Sequence, residues 1–194
     1  MIDLNGNGMS DVWEQIYSAA GLAPGADTDG DSVLNLKEAL AGTSPFDSNS
    51  YPHITAFSST ATNFSVTIPS QPGKVYQLQS VTALDSLSWL METGLVVRAG
   101  AAITLTATNG SGGKFFRIAI ADTNTDGSAM NDWEKYQLAL DPFNPVSNGN
   151  LDSNGQLLGD YDYATNQLAM QNVFTIAATD ASTTQPDPVL TSEC

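Results

Sequence analysis

The twelve residues from Asp27 to Glu38 constrain this chain more than any other stretch. With Asp27 as position 1, Asp29 stands at 3, Asp31 at 5, the Val33 carbonyl at 7, Asn35 at 9 and Glu38 at 12. A backbone coiled around a hard cation presents its oxygens at these positions: every second residue points inward, and a last carboxylate returns from the following helix to close the shell with both oxygens. A hard cation such as Ca2+ takes six to eight oxygens in a flexible shell, which this set offers. The stretch departs from the pattern at Ser32, where a turn glycine is expected; Gly30 offers the needed freedom two residues earlier. A plain Asp/Gly turn is the alternative reading.

A second copy of the pattern starts 24 residues upstream, with Asp3, Asn5, Asn7, Gly8, the Met9 carbonyl, Asp11 and Glu14 at positions 1, 3, 5, 6, 7, 9 and 12. Asparagine replaces aspartate at two of its ligand positions, and affinity falls with ligand charge, so this is the weaker site. A third candidate reads Asp122, Asn124, Asp126 and Gly127 at positions 1, 3, 5 and 6. Two residues are then inserted before Asp132, and Glu134 is left to close the shell because strict alignment puts Lys135 at position 12. Asp152, Asn154, Gln156, Asp160 and Asp162 resemble a fourth site, but an ordinary polar loop is the favoured reading there.

Acidic residues concentrate in these loops. The net charge is -15, and eleven of the 21 Asp and Glu lie in the three candidate sites, so bound divalent ions would relieve much of the self-repulsion. Six Lys and Arg make nucleic acid an unsuitable partner. The single cysteine, Cys194, excludes an intrachain disulfide and a cysteine-rich zinc site. No apolar run is long enough to span a membrane, and Met1-Ile2-Asp3 enters the first loop directly, so neither a span nor a signal peptide is expected. Low-affinity calcium loops fill only where the ion is abundant, which points to an extracellular or cell-surface location and to a mature fragment or internal module.

Three domains are expected: paired loop–helix units at 1–50, a β-sandwich at 51–121, and a third loop, an Asn/Gly-rich linker and a C-terminal strand at 122–194. Trp13, Ile16, Tyr17, Leu36 and Leu40 fall at helical spacing and predict an apolar seam between the first two helices. From 53 to 121 the period becomes two: Phe64, Val66 and Ile68, then Ile103, Leu105 and Ala107, then Phe116, Ile118 and Ile120 alternate with other residues, mostly polar ones. With further strands at 53–58, 74–81 and 88–97, this predicts six half-buried antiparallel strands in a small sandwich. The fold class is therefore mainly β with short helices, a sandwich flanked by calcium loop–helix units. A last apolar stretch, 172–178, has no later hairpin partner and is expected to add to a sheet edge, in this molecule or in a neighbour.

These loops and their sequels, Asp3 to Glu14, Asp27 to Glu38 and Ala41-Gly42-Thr43-Ser44-Pro45, resemble the thrombospondin type 3-like, EF-hand-like repeats of large secreted bacterial surface proteins. The middle segment, with Gly73-Lys74-Val75-Tyr76, Trp89 and Phe115-Phe116-Arg117, is similar to fibronectin-like sandwiches, and the stretch after 172 resembles the first strand of a Calx-beta-type domain. The resemblance implies structural calcium that stiffens the chain. Dockerins share the paired layout, but Val12-Trp13 and Leu36-Lys37 stand where they carry small recognition residues, which argues against that function. The lone histidine, His53, and the absence of nucleophile-elbow or phosphate-loop motifs argue against an enzyme. The rival reading is a module for surface glycans, with Trp89, Tyr76 or Phe115 stacking on sugar rings; it requires those side chains to be exposed.

Overall fold

The computed structural model describes residues 1–85, 88–97, 100–109 and 112–170. The apolar stretch at 172–178 lies outside the described residues.

Two short helices open the chain, α1 (Asp11–Tyr17) and α2 (Asn35–Ala41), each entered from a loop. Helices of two turns are not stable by themselves and depend on what their ends and faces meet. Both end in the left-handed conformation, at Ser18 with φ 53° and at Gly42 with φ 76°. Among the described residues seven antiparallel strands follow: β1 (Ala56–Ser59), β2 (Asn63–Pro69), β3 (Lys74–Val81), β4 (Leu90–Met91), β5 (Val96–Val97), β6 (Ala102–Thr108) and β7 (Phe115–Asp122). Of the described elements, α3 (Asp132–Gln137) and a further helix, α4 (160–170), come last.

The strands form two sheets. One has the order β1-β2-β6; in the other, β3 pairs along its whole length with β7 and on its other edge with β4 and β5. Val66 lies opposite Leu105 and Ile68 opposite Ile103, and both pairs point inward to meet Tyr76 and Leu78 of the facing sheet. On the outer face, Thr67 pairs with Thr104 at 2.8 Å and Ser65 with Thr106 at 3.0 Å, hydroxyl to hydroxyl. The two-residue period thus fixes the register, since a slip of one would exchange the buried and exposed rows. The stretch expected as one strand at 88–97 is two short ones, because Glu92 and Thr93 both donate to the Leu78 carbonyl and interrupt the ladder.

A second core lies outside the sandwich and joins the two ends of the chain. Trp13, Val12 and Met9 of the first unit pack with Met130, Trp133 and Leu168 of the last. The flanks, divided at the sequence level, therefore share one interior. The expected seam corrects accordingly. Ile16, Leu36 and Leu40 are about two-fifths exposed, because α1 packs on α3 rather than lying against α2 along that stripe. Periodicity shows that a helix has an apolar face, but the face used is set by the element that covers it.

Trp133 is the joint between the two cores. Its ring lies against the α2 terminus at Gly42, its backbone against the turn at Gly73, and the Lys74 ammonium sits 4.9 Å from the ring centroid. Lys74 is buried and pairs with Asp122 at the end of β7; burial pulls its pKa down and the carboxylate partly restores it.

Candidate metal centre

In the Asp27 loop the backbone aims the carboxylates. Gly30 and Ser32 donate their N–H groups to the two oxygens of Asp27 at 2.8 and 2.9 Å; Asp31 N–H donates to Asp29 Oδ1 at 3.2 Å and Val33 N–H to Asp31 Oδ1 at 2.7 Å. Each aspartate is thereby fixed through one oxygen or by the turn itself. The ligand oxygens of Asp27, Asp29 and Asp31 lie within 4.8 Å of one another. Ser32 itself takes the left-handed conformation, φ 75°, at the position where the first loop has Gly8 at 86°.

The oxygens that remain have no partner. Asp29 Oδ2, Asp31 Oδ2 and both Glu38 oxygens are buried without a hydrogen bond. Glu38 is 0% exposed. Burial, then the charges of Asp29, Asp31 and Asp27, push its pKa from 4.5 up to about 8, with the nearby Thr43 hydroxyl pulling weakly the other way. Unpaired buried carboxylate oxygens are strongly disfavoured, and here two belong to the aspartate cluster and two to Glu38, which feels the charge of all three aspartates. Asp27, Asp29 and Asp31 could together hold a metal ion. Among the described residues, these three aspartates are the one group of three or more acidic, histidine or cysteine side chains close enough to share an ion.

The first loop repeats the backbone scheme. Gly6 and Gly8 donate to the two oxygens of Asp3 at 2.8 and 2.9 Å, Asn7 N–H donates to Asn5 Oδ1 at 3.0 Å, and Met9 N–H donates to Asn7 Oδ1 at 2.7 Å. Its interior differs. Glu14 Oε1 accepts from Asn7 Nδ2 at 2.7 Å and Glu14 Oε2 from Asn5 Nδ2 at 2.9 Å, so two amide groups occupy the closing carboxylate. Burial still raises the pKa of Glu14, opposed by the Asn7 and Asn5 donors.

The position-9 side chains of all three loops serve as clips. Asp11 Oδ2 accepts from Leu4 N–H at 2.6 Å, Asn35 Oδ1 from the Thr28 hydroxyl at 2.9 Å, and Asp132 Oδ1 from Thr125 N–H at 2.8 Å. Their own N–H groups donate to Ile2, Ala26 and Thr123 carbonyls at 2.8 to 2.9 Å. These residues tie the loop shut, and Asp11 also bears on Glu14, adding to the rise that burial gives its pKa.

The clips also fix the register of the third loop, which differs from the expected one. Thr125 corresponds to Thr28 and Leu4, so Asn124 takes position 1, Asp126 position 3, Ser128 position 5, Met130 position 7 and Lys135 position 12, with no insertion. Asp122 lies before the loop, on Lys74. Glu134 lies beside it: Glu134 Oε1 accepts from Ile2 N–H and the Ser10 hydroxyl at 2.8 and 2.6 Å, while Glu134 Oε2 accepts from Asn131 N–H in a capping box with α3. The structure thus brings neither Asp122 nor Glu134 into the loop interior; there Asp126 meets the Lys135 ammonium. Asn124 Nδ2 donates to the Ser128 carbonyl at 2.5 Å. The signal for this register is in the sequence: Asn124-Thr125-Asp126-Gly127 repeats Asp27-Thr28-Asp29-Gly30, and Pro142-Phe143 repeats Pro45-Phe46, both 97 residues later.

Asp152 closes a turn, accepting from Asn154 and Gln156 N–H at 2.8 Å each. Asp160 starts α4 and is fully buried. Neither joins a carboxylate cluster.

The three rings of the glycan reading differ in exposure. Tyr76 is 2% exposed and its hydroxyl accepts from Gln71 N–H at 2.8 Å; Trp89 lies under the Arg117 guanidinium at 4.2 Å; Phe115 is 47% exposed. Comparison with protein-family models, curated proteins and solved structures finds no match.

Proposed function

We propose that this chain is a non-catalytic, calcium-stabilised structural module of an extracellular or cell-surface protein, with the Asp27 loop as its principal ion site. The carrying observation is the set of four buried carboxylate oxygens of Asp29, Asp31 and Glu38 that have no hydrogen-bond partner. The first loop is a weaker site, because an ion there must displace two amide donors from Glu14. The buried tyrosine counts against the glycan-binding alternative. Among the described residues no helix is long and apolar enough to cross a membrane.

Calcium titration at several pH values tests the site. In the ion-free fold Glu38 holds its proton to about 8 against 4.5 for the ordinary group, so an ion binding at pH 7 expels about one proton. Calorimetry at pH 7 in buffers of different ionisation enthalpy is expected to show that release, with affinity rising from pH 6 to pH 8. Binding with no proton release would contradict the arrangement.

The reading extends to assembly. Among the described residues the outer edges of β1 and β7 have no strand partner, and each offers an open ladder to the 172–178 stretch of a neighbouring copy. Removal of 171–194 is expected to abolish large particles in light scattering; particles of unchanged size would exclude strand addition.

A further inference from the structure

The third loop has the clip and the turn of the other two and the position-3 aspartate of the second, yet at position 12, where they carry Glu14 and Glu38, it carries Lys135. That ammonium is 0% exposed. It binds Asp126 Oδ2, lies 3.3 Å from Asp160 Oδ2 and donates to the Asn144 carbonyl at 3.0 Å. A carboxylate from within the loop, a carboxylate from the start of α4 and a backbone carbonyl converge on one positive centre, the kind of oxygen shell that a hard cation takes. In the first loop the same position-3 to position-12 contact is made by Asn5 and Glu14.

We infer that the third loop is a cation site whose cation is the Lys135 ammonium, carried by the chain itself, so this loop and the helix it anchors stay assembled when calcium is withdrawn. The inference builds on the reading of the Asp27 loop as an ion site, and it divides the molecule into a calcium-dependent part at 27–41 and a calcium-independent part at 124–147. A tethered ammonium forms its contacts within one chain and has no dissociation equilibrium with the solvent, whereas a bound ion is lost once its free concentration falls below its dissociation constant. Asp160 is the residue through which the ammonium holds α4, whose Leu168 enters the shared core.

Hydrogen exchange of the full chain, read by mass spectrometry in chelator and in calcium, tests this. In the wild type, peptides from 124–147 are expected to exchange equally in both conditions, within about twofold, while peptides from 27–41 exchange at least tenfold faster in chelator. Lys135→Met leaves Asp126 and Asp160 buried without a counter-charge; its 124–147 segment is expected to lose protection at least tenfold in both conditions. Lys135→Glu puts a carboxylate where Glu38 has one, and its 124–147 segment is expected to be protected in calcium and unprotected in chelator. Wild-type 124–147 protection that collapses in chelator would overturn the inference, as would Lys135→Met protected like the wild type, or Lys135→Glu unresponsive to calcium while 27–41 responds. A 27–41 segment indifferent to calcium would instead refute the Asp27 ion site, and the Lys135→Met result would still decide the role of the ammonium.

Discussion

In chelator at pH 8 the Glu38→Gln variant is expected to melt above the wild type, and in about 1 mM calcium below it. The wild type buries Glu38 among three aspartates with both oxygens unpaired, and its pKa of about 8 means that the carboxylate is half ionised at that pH without an ion to balance it. A glutamine has no charge to bury and brings an N–H2 donor to the unpaired oxygens of Asp29 and Asp31. The first loop shows the effect, since Asn5 and Asn7 amides satisfy Glu14 there. The same change removes the closing ligand. At a dissociation constant of about 10 µM, 1 mM calcium stabilises the wild-type fold by roughly 2.7 kcal/mol, or about 5–10 °C in a chain of this length, and the variant forgoes most of it. Thermal melts of both proteins under both conditions give the four numbers needed, and parallel shifts in place of a crossing would contradict the assignment of Glu38.

The pH dependence of the ion-free protein has a matching sign. Because Glu38 is raised, the fold binds more protons than the unfolded chain between 4.5 and about 8. Its contribution to stability is therefore fully present below that window and is lost as pH rises through it. The stabilisation gained from calcium grows over the same interval.

Gly73→Ala is expected to be the most damaging single change outside the loops. Gly73 has φ +72°, and a methyl group there would meet the Trp133 backbone nitrogen at 2.2 Å and the Asp132 carbonyl carbon at 2.5 Å. Backbone at that distance cannot rotate aside as a side chain would. The left-handed conformation adds about 1–2 kcal/mol for an L-residue, and overpacking about 1–3 kcal/mol. A loss of roughly 2–5 kcal/mol lowers the melting temperature by about 4–20 °C. The turn also holds the entry to the third loop, because the Gly73 carbonyl accepts from both the N–H and the hydroxyl of Thr123 at 3.0 and 2.9 Å. Gly25→Ala is the control: that glycine has open space around its Cβ position and no positive φ, and no change in melting temperature is expected.

The strands were legible because alternation is local: Ile103, Leu105 and Ala107 announce one face of β6 whatever covers it. The Asp27 loop was legible for a similar reason, since its ligands sit at fixed offsets along one stretch. Which elements would meet was not. Trp13 reads as core, but nothing local says that Trp133, 120 residues later, completes that core after an intervening sandwich. The third loop was misregistered because Asp122 looks like a first ligand, although it belongs to β7 and pairs with Lys74. Lys135 then looked like an obstacle to ion binding, whereas in the fold it meets Asp126 and Asp160. Helix α4 was hidden by its Asn- and Gly-rich approach, though Ala164 and Leu168 already mark a buried stripe.

The central claim is that a divalent ion sits among Asp27, Asp29, Asp31 and Glu38, and crystals grown in ample calcium and measured for anomalous scattering address it directly. The account predicts a peak at about 2.3–2.6 Å from the free oxygens of Asp29 and Asp31, both oxygens of Glu38 and the Val33 carbonyl. Well-ordered side chains at those positions with no peak between them would contradict it.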